Sequence, residues 1–70
     1  MNNAILKLYD YIAHDIARVT DDMKNGYLTL NTGRDNNNYY YYIDECNCVA
    51  VNVETLEIIT NPDKLDYLFS

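Results

Sequence analysis

The stretch Tyr39-Tyr40-Tyr41-Tyr42-Ile43 constrains this chain more than any other. It holds half of the eight tyrosines in a 70-residue sequence. Aromatic residues favour strands, and in a strand successive side chains point to opposite faces. Tyr39, Tyr41 and Ile43 then share one face, and Tyr40 and Tyr42 the other. A sheet with one wet face alternates apolar and polar residues, and this run does not alternate until Asp44. One face is therefore expected to cover the core, and the other to form an amphipathic surface open to a partner.

Seventy residues make one domain, residues 1–70. A chain of this size buries only about 60% of its unfolded surface, and small domains often add disulfides, a metal or oligomerisation. Cys46 and Cys48 lie only two residues apart, which strains a bridge between them. No second cysteine pair completes a four-ligand zinc site. Reduced thiols, no metal and no cofactor are expected.

The formal net charge is −6, and it is unevenly spread. Residues 1–35 balance five acids with four bases. Residues 36–70 carry Asp44, Glu45, Glu54, Glu57, Asp63 and Asp66 against Lys64 alone. Such a surface opposes direct nucleic-acid binding, which relies on Lys and Arg displacing counterions. It also opposes anionic membranes. The start Met1-Asn2-Asn3 lacks the basic residues of a signal peptide, and no apolar run reaches the ~20 residues of a membrane span. A cytoplasmic location is expected. The bias toward Asn, Tyr and Ile fits an AT-rich genome such as a phage's, for which the location is the host cytoplasm.

Ile5, Tyr9, Ile12, Ile16, Val19 and Met23 recur at steps of four and three, one stripe of an α-helix. Asn2 or Asn3 supplies a cap, and Asn25-Gly26 a stop. The pattern predicts one helix over 4–24, roughly 30 Å long. His14 falls on its polar side with Asp10 and Arg18 as i,i+4 neighbours, an ordinary solvated charge row.

Tyr27–Thr32 alternates as a strand, with Leu28 and Leu30 inward and Tyr27 and Thr29 outward. Gly33–Asn38 is a turn-rich loop before the tyrosine strand. Val49, Val51 and Val53 give a third strand, with Ala50, Asn52 and Glu54 on its other face. The apolar phase slips at Glu54-Thr55, because Leu56 and Ile58 come next, and a one-residue slip inverts a strand's faces. A turn there, followed by a fourth strand over 56–60, removes the conflict. Thr60 or Asn61, Pro62 and Asp63 open a final short helix, with Leu65, Leu68 and Phe69 on its apolar side. The expected fold is α+β: a long N-terminal helix on a small antiparallel meander of three to four strands, with a short C-terminal helix.

Catalysis needs a base, nucleophile or metal with an orienting group, and no motif here supplies that set, so no enzymatic activity is expected. Tyrosine offers stiff contact area with a polar tip and is enriched in interfaces, and carboxylates steer such a patch toward basic surfaces. The sequence thus reads as a small acidic protein-binding protein. It is expected to act as an inhibitor or adaptor of the phage anti-defence or DNA-mimic type, blocking a basic nucleic-acid-handling protein. Tyr27, Tyr40 and Tyr42 are the expected anchors, and Asp44, Glu45, Glu54 and Glu57 the charged rim. The alternative is a homo-oligomerisation module in which the tyrosine face or the helical stripe pairs with a second copy.

Overall fold

The computed structural model describes residues 2–70. A helix α1 (Asn3–Ile12), a 3-10 turn (Ile16–Arg18) and a helix α2 (Val19–Lys24) precede four strands, β1 (Leu28–Thr32), β2 (Asn38–Ile43), β3 (Cys48–Asn52) and β4 (Ile58–Ile59). A helix α3 (Pro62–Phe69) ends the chain. The strands form one antiparallel sheet in the order β1-β2-β3-β4. This is the expected α+β meander between an N-terminal and a C-terminal helix.

The register decides what each face holds. Leu28, Tyr42 and Val49 lie in one row, and Leu30, Tyr40, Val51 and Ile58 in the next. These residues share a face, and α1 covers all of it but Leu30, which lies exposed on the outer strand rather than inward as expected. Ala4, Ile5, Leu8 and Tyr9 pack there with Leu28, Tyr42, Val49 and Val51. The opposite face carries Tyr39, Tyr41, Ala50 and Ile59, and α3 covers part of it through Leu65 and Leu68. Helices thus lie on both faces of the sheet, which explains why the tyrosine strand shows no polar alternation: both of its sides have something to pack on.

Local chemistry closes each element. The Asn2 side chain accepts from the amides of Ala4 and Ile5, and that of Asn61 from Asp63 and Lys64, with Pro62 in the first turn. Gly26 takes φ +83° after α2. Its amide donates to the Met23 carbonyl and that of Tyr27 to Asp22, a left-handed cap. After β3 the Asn52 carboxamide accepts from the Glu54 and Thr55 amides. Glu54-Thr55 is therefore the turn that the phase slip required.

The single helix over 4–24 is not what forms. Ala13 adopts φ +58°. The His14 amide donates to Tyr9 O and the Ala13 amide to Asp10 O, closing α1 with a Schellman cap built on alanine. Asp15 then caps the next turn by accepting from the Ala17 amide at 2.9 Å. An aspartate that can bond its own downstream backbone competes with helix continuation, and here it prevails. The 4-3 spacing survives the break because both pieces are amphipathic, but Met23 ends 43% exposed, off the core. The fourth strand is also shorter than 56–60, because Leu56 has φ +64°, incompatible with an extended strand.

Candidate functional site

The end of the sheet where α1 stops holds the densest polar arrangement among the described residues. The Tyr9 hydroxyl donates to Asp22 Oδ2 at 2.6 Å, and Asp22 is 3% exposed. Arg18, four residues earlier, brings Nη2 to 4.0 Å from Asp22 Oδ1. A buried carboxylate is costly unless paired and hydrogen-bonded, and Asp22 has both partners. Burial first, then this hydrogen bond, pushes the Tyr9 phenol well above its ordinary range.

His14 belongs to this cluster rather than to a solvated helix face. Its ring meets Tyr42 edge-on at 5.5 Å and Tyr9 at 6.3 Å, and those two tyrosines meet at 6.0 Å. Its Nδ1 is buried without a hydrogen-bond partner among the described residues. The Schellman cap after Ala13 turns His14 back onto the sheet, and so the expected Asp10–His14–Arg18 row does not form.

Tyr42 connects this cluster to the β2–β3 loop. Its hydroxyl donates to Asp44 Oδ2 at 3.0 Å. Asp44 Oδ1 accepts from the amides of Cys46 and Asn47, both at 2.7 Å. These donors, the Cys46 amide first, hold the Asp44 carboxyl below its usual range. Burial and the bond to Asp44 push Tyr42 up to about 12. Asp44 is thus the organiser of the loop more than a free charge.

A shallow cleft of about 280 Å³ opens here, lined by Arg18, Tyr27, Tyr42, Asp44, Glu45 and Cys46. Four of the seven residues expected at a partner site meet in it, but not in the expected roles. Tyr42 has no exposed surface and cannot anchor a partner in the folded protein. Tyr40 is half-buried against the α1 core, and its hydroxyl accepts from Asn2 Nδ2 at 3.4 Å. Both were expected on the open face. They lie on the core side because the Gly33–Asn37 turn sets Leu28 opposite Tyr42, a register that the non-alternating tyrosine run does not specify. Tyr27 is 43% exposed, and Glu45 is exposed beside it. Glu54 and Glu57 are exposed after β3, at the other end of the sheet from Asp44, and Glu57 lies 3.8 Å from Lys64. Arg18, His14 and Asp22 were missed as site residues; the aspartate at 15, a capping residue inside an apparent helix, was the signal that the stripe breaks there.

Cys46 and Cys48 are exposed free thiols. The Cys48 Sγ lies 3.1 Å from the Tyr41 hydroxyl, whose pKa rises to about 12 through burial and this contact. Among the described residues no three His, Cys, Asp or Glu side chains converge as metal ligands, and no helix is long and apolar enough to cross a membrane. No protein-family description matches the chain, and no curated protein or solved structure matches it either.

Proposed function

We propose that this protein is a binding protein, an inhibitor or adaptor that occupies a basic, nucleic-acid-handling surface of another protein. The observation that carries this reading is the cleft in which exposed Tyr27 and Glu45 flank Asp44. A stiff aromatic anchor with carboxylates around it suits a cationic partner. The corrected anchor is Tyr27, with Glu45 as its free charge. Glu54 and Glu57 add to the long-range field from the far end of the sheet. A binding role is supported by how the Asp44 carboxylate and the Tyr42 phenol of the cleft are committed. Asp44 is held by loop amides and the Tyr42 hydroxyl by Asp44, while Arg18 pairs with the buried Asp22 beside the cleft. His14 packs edge-on against the rings of Tyr9 and Tyr42.

The test is competition. Purified basic nucleic-acid-binding proteins are loaded with labelled DNA or RNA, and this protein is titrated in. Release of the nucleic acid is expected, weakening as salt rises because exposed charges are screened. Tyr27→Ala and Glu45→Lys should each impair it without unfolding the domain. A panel in which no nucleic acid is displaced, or displacement indifferent to salt and to both substitutions, would sink the proposal.

A further inference from the structure

We propose that β1 is a dimerisation edge, at which two copies pair antiparallel, β1 against β1, about a two-fold axis through Leu30. The product is one continuous eight-stranded sheet. This inference does not rest on the binding role above.

The hydrogen-bond parity of β1 leaves its outer side unpaired. The Ile43 amide donates to Tyr27 O and the Gly33 amide to Asn37 O. Odd-numbered residues of β1 therefore bond β2, because residues along an antiparallel strand alternate between bonding one neighbour and the other. The N–H and C=O groups of Leu28, Leu30 and Thr32 point away from the sheet. β1 is an outer strand, with no strand beyond it among the described residues. Leu30 is the most exposed large apolar side chain among the described residues, at 60%.

Sheet edges are ordinarily guarded by charge, proline, a bulge or shortness. The other edge follows that rule: β4 has two residues and is preceded by Glu57, which lies against Lys64. β1 has none of these guards. Its five residues, Leu-Thr-Leu-Asn-Thr, carry no charge and no proline, and they pair with β2 without a bulge. Such an edge is a ready template for another strand, whose amides and carbonyls alternate in the same way.

A second copy fits for reasons of charge and register. Two chains of net charge −6 repel, and β1 is a stretch where they can meet without opposing carboxylates. With Leu30 opposite Leu30, all five residues find partners: Leu28 faces Thr32, and Thr29 faces Asn31. A five-residue edge places the dimer in the weak, transient class below about 1,200 Å² of buried surface.

Sedimentation equilibrium from micromolar to millimolar concentration tests this, combined with amide exchange. A monomer–dimer equilibrium is expected, unchanged or strengthened by salt. The Leu30 and Thr32 amides should gain protection as concentration rises, while that of Asn31 is protected throughout. Leu30→Lys sets two ammonium groups across the axis and should weaken the dimer about tenfold or more; its circular dichroism should match the parent, since the side chain is exposed. Leu30→Pro removes only an outward amide, which edges tolerate, and should abolish pairing. A monomer at every concentration, a dimer indifferent to both substitutions, or concentration-independent exchange at Leu30 and Thr32 would overturn the proposal. Protection of those amides only when a different protein is added would assign the edge to a foreign strand and equally reject self-pairing. Leu30→Lys should leave nucleic-acid competition intact and Glu45→Lys should leave the dimer intact, so the two readings fail separately.

Discussion

At the scale of single residues, the buried Tyr9–Asp22 bond sets the largest local stakes. Removing the hydroxyl leaves a buried carboxylate oxygen without its donor, which costs about 1–3 kcal/mol. Tyr9→Phe is expected to lower stability by that order in urea denaturation, with the fold retained. The same tyrosines predict an alkaline limit. Tyr42 titrates at about 12 in the fold and near 10 unfolded, and Tyr9 is shifted in the same direction. Their stabilisation is complete below about pH 10 and is lost as pH rises toward the folded values, because the unfolded chain releases those protons first. Thermal melts between neutral pH and pH 11 should show the decline, and Tyr42→Phe should flatten it. Gly33 is a second sensitive point. A Cβ there would lie 2.8 Å from Asp35 Oδ1 and Tyr39 Cε1 and 3.2 Å from Leu68. Gly33→Ala is expected to destabilise by about 1–3 kcal/mol through overpacking, read as a lower melting temperature.

At the scale of elements, the break after α1 separates what was legible in the sequence from what was not. The caps at Asn2, Asn61 and Gly26, the proline opening α3 and the turn at Glu54-Thr55 were all legible, because each rests on one side chain satisfying nearby backbone groups. The break at Ala13 was not. Alanine is the best helix former and gives no sign of a left-handed conformation. That conformation costs an L-residue roughly 1–2 kcal/mol, so Ala13→Gly is expected to be neutral to stabilising by up to about 1 kcal/mol, after the entropy glycine loses. Ala13→Val should destabilise by more. Paired denaturation curves decide both. The tyrosine strand was recognisable as a strand from its composition, but its register was not, since shifting it by one residue leaves tyrosines on both faces. The structure resolves this by burying Tyr42 under α1 and setting Tyr39 under α3. The consequence fell on the expected site: two of its three anchors turned out to be core.

At the scale of the whole molecule, a domain of 30 × 25 × 19 Å carries its acids, Asp22 excepted, on loops and helix surfaces. Two of them are tied into turns. Asp44 is held low by the Cys46 amide, and Asp35 by the Tyr39 hydroxyl, with Asn37 adding to it. A depressed carboxyl in the fold stabilises above the unfolded value near 4, and that contribution fades as pH falls through the folded value. Stability is therefore expected to drop below about pH 4. Asp44→Asn should show a shallower acid limb than the parent when melting temperature is followed against pH.

The groove beside β1 has a practical consequence. This groove lies between β1 and the end of α3: Leu30, Asn31 and Arg34 line it together with Leu68 and Ser70, and the Arg34 guanidinium donates to the Ser70 carbonyl at 3.3 Å. Asn2, by contrast, lies beside Tyr40 on the α1 side. A purification tag fused after Ser70 would emerge next to the open strand and crowd it. The end chosen for a handle decides which surface any assay is able to see.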